Sequence, residues 1–175
     1  MSFSTWLAAR RPTLLAIAVG TASYLVALWI AWRAWPEVAP ISSAGERVAY
    51  AAELLVAVAV LVLLIVSRLF RTFDNEKAED PFAGAESHRW QVNQRVLQNT
   101  VEQGMIFVPA LLALAARLEP SQVRILPILT ALWCTGRIFF WIGYRIRPVL
   151  RGPGFEWTLY TSLLALGWYG WTALG

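Results

Sequence analysis

The sequence predicts an all-α integral membrane protein, an antiparallel bundle of five transmembrane helices, and three observations lead there. Of its 175 residues 58% are hydrophobic and only 15% are charged, against roughly 25% charged in soluble proteins. The mean hydropathy of +0.52 has a local origin. Apolar residues are gathered into five blocks, each close to the roughly 20 helical residues that cross a hydrocarbon core. One long polar segment interrupts them, Arg71–Gln94 with Asp74, Glu76, Lys77, Glu79, Asp80 and Gly84. It holds too little apolar surface to build a domain and is expected to be a surface loop.

The first block, Thr13–Trp35, follows Arg10-Arg11-Pro12, a start similar to a twin-arginine signal. Its apolar run outlasts the roughly 7–15 residues of a signal core, so it is expected to be an uncleaved anchor. Pro36 and Pro40 end it, and Glu46-Arg47 lead into the second block, Val48–Phe70. The third, fourth and fifth blocks are Val92–Ala116, Ile125–Ile146 and Phe155–Ala173. Short connections at Arg117–Gln122 and around Gly152-Pro153-Gly154 make consecutive blocks antiparallel neighbours in one bundle.

Loop charges set the expected orientation, because Lys and Arg accumulate on the cytoplasmic side. With the N-terminus inside, that side carries Arg10, Arg11, Arg68, Arg71, Lys77, Arg89, Arg145, Arg147 and Arg151, and the other side Arg33, Arg47, Arg117 and Arg124. Nine against four favours a cytoplasmic N-terminus and a C-terminus opposite. Trp29, Trp32 and Trp35, with Trp168, Tyr169 and Trp171, would then mark the outer interface, and Trp90 and Trp157 the inner one. The pI near 9.7 does not indicate nucleic acid, since the Arg residues flank apolar blocks instead of forming one basic tract. Cys134 is the single cysteine, which excludes an intrachain disulfide and any Cys-based metal framework. The lone His88 lies in a polar loop and is assigned no role, and no metal site is expected.

Ionisable groups inside spans cost about 2.5–3.5 kcal/mol each on insertion scales and so usually face a bundle interior with partners. The third block opens with Arg95, Asn99 and Glu102, whose offsets of four and seven share one helical face. The fourth carries Arg137 and Tyr144, and Arg151 follows at the same sevenfold spacing if that helix continues. The second contributes Arg68 at its inner end and Glu53 nearer its outer end. A Glu102–Arg137 ion pair is the structural expectation. Arg68, Arg95, Arg137 and Arg151 still outnumber the one inward carboxylate, so an external anionic ligand is expected on the cytoplasmic side.

With these residues the sequence resembles the MAPEG family, the membrane-associated proteins of eicosanoid and glutathione metabolism. The resemblance rests on Arg95-x3-Asn99-x2-Glu102 and on Gly136-Arg137-x6-Tyr144-x6-Arg151. Phe140-Trp-Ile-Gly-Tyr144 is similar to leukotriene C synthase, and Arg68-Leu69 with Phe73-x-Asn75 is similar to the junction after the first family helix. It implies a MAPEG-like four-helix domain over residues 48–175, preceded by an extra transmembrane helix within residues 1–47. It also implies a homotrimer that binds glutathione between subunits, with no metal. Arg95, Asn99, Glu102, Arg137 and Tyr144 would line the glutathione site, Arg68 would reach in from a neighbouring subunit, and Arg151 would stabilise the thiolate as catalytic residue. Glutathione's two carboxylates suit Arg forks, its ammonium suits Glu102, and its thiol must ionise before it attacks.

Three departures stand beside the matches. The first block has no family counterpart, Phe140 replaces a Tyr that assists glutathione in some members, and Pro148 with Gly152-Pro153-Gly154 threatens the placement of Arg151. The expected function is a microsomal-type glutathione transferase or peroxidase, acting on hydrophobic electrophiles or lipid hydroperoxides that arrive from the membrane lipid. The alternatives are a non-catalytic lipid-binding member of the family and a helical membrane protein whose buried charges are structural.

Overall fold

The computed structural model describes residues 3–71, 74 and 76–174. Five long helices account for most of them: α1 Phe3–Ala34, α2 Ala44–Val66, α3 His88–Arg117, α4 Ile125–Ile146 and α5 Gly152–Leu174. Short 3₁₀ turns sit between them at Ser67–Leu69, Glu76–Glu79, Pro120–Gln122 and Pro148–Arg151. The fourth apolar block coincides with α4, whereas α1 begins ten residues ahead of its block and runs through Pro12.

Each helix start has a local cause. Ser43 caps α2 by accepting from the Glu46 amide, and Ser87 caps α3 by accepting from the Trp90 amide at 3.1 Å, which satisfies donors that a first turn leaves unpaired. Glu119 and Gln122 close the short α3–α4 connection with a reciprocal capping box. Gly154 of α5 lies against the backbone of Gly136 and Phe140 in α4, an approach any side chain at 154 would block.

The packing is a square of α2, α3, α5 and α4, with α3 and α4 also touching across the diagonal and α1 lying outside against α5 and α4. Trp133 stacks on Phe107 at 5.3 Å within a core that includes Leu111, Leu114 and Ile128. The most apolar window of the α4 segment is 61% buried inside the protein, and that of α1 only 11%. α4 is therefore the centre of the fold and α1 its outermost layer.

Among the described residues four segments are long and apolar enough to cross a membrane: Arg10–Ala34, Ala44–Leu69, His88–Arg117 and Pro120–Ile146. α5 matches them in length, about 35 Å at 1.5 Å per residue, but is richer in Trp, Tyr, Gly and Thr. Leu15, Leu63 and Met105 are each about two-thirds or more exposed, a surface suited to hydrocarbon and not to water. The chain is an integral, multi-pass membrane protein.

The long polar segment is a surface connection only as far as Ser87, since His88–Gln94 of the expected loop form the first turns of α3, and the connection is tied down. The Arg71 guanidinium lies 4.3 Å over the Trp90 ring, pairs with Glu86 at 2.7 Å and donates to the Ala78 carbonyl. Asp74 accepts from both the amide and the hydroxyl of Ser87. The indole N–H of Trp90 donates to the Leu69 carbonyl at 3.0 Å, joining the end of α2 to the start of α3. Its hydrogen bonds with Ser87 hold the Asp74 carboxyl below its ordinary range, and the Arg71 guanidinium does the same for Glu86.

Candidate functional site

At the end of the bundle where α3 begins and α4 finishes lies a cavity of about 380 Å³. α3 supplies Arg95, Gln98, Asn99 and Glu102 to its wall, α4 supplies Phe140 and Tyr144, and Arg151, Gly152 and Phe155 complete it. Five of the seven residues singled out in the sequence thus share one concavity: Arg95, Asn99, Glu102, Tyr144 and Arg151.

Arg137 stands behind this wall. It is fully buried, and its Nη1 donates to Asn99 Oδ1 at 2.8 Å. Asn99 Nδ2 in turn donates to Glu102 Oε2 at 3.5 Å, and Gln98 Nε2 to Glu102 Oε1 at 3.1 Å. The expected direct Glu102–Arg137 pair is replaced by a relay through Asn99. Glu102 is exposed on the cavity side of α3. Asn99, one turn earlier and half-buried, faces α4 and so meets the guanidinium first. Phe140 packs 4.4 Å from the Arg137 guanidinium, which leaves Nε and Nη2 without acceptors. A buried cation with open donors is costly unless an acceptor arrives.

Arg151 reaches the cavity by a route that helical spacing does not describe. α4 does not continue to it. Pro148 lacks an amide hydrogen and disfavours helical backbone at the preceding residue, so Arg147 is extended at φ −154°, ψ 141° and the helix stops at Ile146. The 3₁₀ turn Pro148–Arg151 then folds back on α4, where Gly143 has no side chain to obstruct the Leu150 carbonyl. This sets the Arg151 guanidinium 4.7 Å over the Tyr144 ring, whose edge packs against Phe140.

Arg68 does not join this cavity. It sits exposed in the Ser67–Leu69 turn, lining a separate depression of about 390 Å³ with Arg89, Asp74, Trp90 and Asn93. Phe73 and Asn75, part of the junction motif, lie outside the described residues. Gln98 and Phe155 were not anticipated. Gln98 precedes Glu102 by one helical turn, a spacing that pairs polar side chains and could have revealed it; for Phe155 the sequence carries no such signal. Among the described residues no cluster of His, Cys, Asp and Glu is arranged to hold a metal ion.

The MAPEG family model matches residues 48–171, well over half of the chain. The chain belongs to the MAPEG family. No curated protein and no solved structure matches it. Membership puts the protein among the membrane proteins of glutathione or eicosanoid metabolism, a family that generally uses glutathione. All residues of the cavity, and Arg68, fall within the stretch that matches MAPEG, whereas α1 falls wholly outside it.

Proposed function

We propose that the protein is a glutathione-dependent membrane enzyme that conjugates glutathione to hydrophobic electrophiles or reduces lipid hydroperoxides. The observation that carries this reading is the single cavity joining Arg95 and Arg151 to Glu102, Asn99 and Tyr144. A guanidinium and a carboxylate on α3, with a second guanidinium across the cavity, suit a ligand that carries a carboxylate, an ammonium and an ionisable thiol. Arg95 binds a glutathione carboxylate, Glu102 the ammonium, and Asn99, held by Arg137, presents a fixed amide. Arg151 is the catalytic residue. Its guanidinium favours the sulfur anion over the thiol and so lowers the thiol pKa.

The thiol proton leaves to solvent. In conjugation with an α,β-unsaturated carbonyl, a sulfur lone pair forms the C–S bond, the displaced π pair moves to the carbonyl oxygen, and the enolate takes a proton from water. With a hydroperoxide, sulfur bonds the distal oxygen as the O–O bond breaks, and the lipid alkoxide takes a proton. A second glutathione then converts the sulfenic acid to disulfide and water.

The working enzyme is a homotrimer of five-span subunits, with the N-terminus cytoplasmic, the C-terminus opposite and the cavity near the cytoplasmic face. Arg68, exposed and apart from its own chain's cavity, enters that of a neighbour. This reading is tested by titrating purified protein with glutathione calorimetrically and assaying conjugation. Saturable binding that Arg95→Ala weakens supports it; absence of binding together with lipid binding favours a non-catalytic family member.

A further inference from the structure

Arg151 and Gly152 line two concavities. Beside the polar cavity, α1 and the Pro148–Arg151 turn flank a groove of about 260 Å³, walled by Thr13, Ala16, Ile17, Pro148 and Val149. Thr13, Ala16 and Ile17 follow the i, i+3, i+4 spacing of one helical face. Farther along, that face is docked on α5. Gly20 meets Pro153 and Glu156 without a side chain between, the Thr21 and Tyr160 hydroxyls lie 3.0 Å apart, and Tyr24 packs edge-on against Trp157. The same stripe of α1 is therefore closed against α5 over Gly20–Tyr24 and stands open over Thr13–Ile17. Leu14, Leu15 and Ile17 are exposed beside the opening, which gives it lateral access from the bilayer.

We infer that this groove holds the apolar tail of the electrophile, with its reactive carbon at the Arg151 edge, and that α1 thereby selects substrates by chain length. The inference rests on the proposed thiolate site, and three features favour this occupant. Arg151 lines both concavities, so a sulfur held beside its guanidinium and an acceptor carbon at the mouth of the groove can meet at its edge. The other groove side chains are apolar apart from the Thr13 hydroxyl, so they offer no recognition to a charged headgroup. The volume falls below the roughly 300–1,000 Å³ of drug-sized pockets, which suits a single alkyl chain or ring. Gly152 faces Ala16 across the groove, where an added Cβ would come within 3.4 Å and take up part of its space.

The test is a series of trans-alkenals from butenal to decenal, conjugated by the full-length protein in lipid nanodiscs. With alkenal concentrations referred to the aqueous phase, wild-type kcat/KM should climb by up to roughly fourfold per methylene taken out of water and level off when the groove is full. Ile17→Trp should move that break to shorter chains and lower the decenal-to-butenal ratio about tenfold, the equivalent of roughly two methylenes. Thr13→Phe is the second variant should Ile17→Trp fold poorly. A diazirine-bearing decenyl probe, mapped by mass spectrometry, reads occupancy without turnover and should label Thr13–Ile17 or Pro148–Val149. A chain-length profile identical in wild type and variants, or labelling confined to other helices, overturns the inference. Absence of glutathione binding in the wild type would instead sink the thiolate site, and the labelling pattern would still decide the groove.

Discussion

The arginines that tie the α1–α2 and α3–α4 connections and those around the polar cavity at the opposite end of the bundle are treated in opposite ways. At the end carrying the α1–α2 and α3–α4 connections, Arg47 is buried and spends its guanidinium on four backbone carbonyls, those of Ile41, Ser42, Ala115 and Ala116. Two of these belong to the last turns of α3, where carbonyls lack helical partners and a cation complements the dipole. Arg124 pairs with Glu37, donates to the Trp32 carbonyl at 2.7 Å and covers the Trp32 ring. At the opposite end Arg95 and Arg151 make no ion pair among the described residues, and buried Arg137 keeps two nitrogens without acceptors. A cation that serves the fold is closed off by the protein's own acceptors. A cation that serves a ligand is held in place with donors left open.

Substitutions should divide along the same line. Arg47→Ala removes donors from carbonyls at a buried helix end and should destabilise the protein by about 3 kcal/mol, near the top of the range for charged hydrogen bonds. Thermal unfolding in detergent should record that loss with little change in glutathione affinity. Arg95→Ala should reverse the pattern. Glutathione affinity should fall roughly ten- to more than a hundredfold, for a charge-assisted contact worth about 1.5–3 kcal/mol, while the unfolding midpoint moves little. Equal effects of both variants on both readouts would erase the distinction between the ends.

The exposed partner in the Arg124–Glu37 pair limits its worth. A double-mutant cycle with alanines should give a coupling of about 0.2–1 kcal/mol, as for other solvent-facing pairs. The smallest effect concerns acid. Asp74 and Glu86 both have carboxyls depressed by their native partners. Their ties are therefore fully present above the unfolded carboxylate range near pH 4 and are lost as pH falls through the lower folded values. Hydrogen exchange at the Ser87 amide, corrected for intrinsic rate, should show protection at neutral pH and its loss in acid.

Much of this was legible because helical periodicity is a strong signal. Arg95, Asn99 and Glu102 share a face whatever surrounds them, and the length of each apolar block marks α2 to α4 within a few residues. Arg151 shows the limit: its sevenfold spacing from Tyr144 holds for one helix, but Pro148 breaks that helix and a 3₁₀ turn over Gly143 delivers the side chain instead. The Asn99 relay was hidden because spacing gives the face and not the depth at which each side chain meets its neighbour. Arg47 looked like a loop cation, since two of its four acceptors lie 68 and 69 residues away at Ala115 and Ala116. The groove beside α1 was equally invisible, because it depends on where a helix outside the family match docks.

The central claim is that Arg151 stabilises a thiolate in the cavity, and ultraviolet thiolate absorbance of bound glutathione in wild type and Arg151→Ala tests it most directly. Over roughly pH 6–9, wild-type protein should hold the anion well below the ordinary thiol pKa of about 8.5. Arg151→Ala should still bind glutathione but ionise it only near that ordinary value, and Arg151→Lys should fall between if charge alone suffices. Superimposable titrations of wild type and Arg151→Ala would contradict the account.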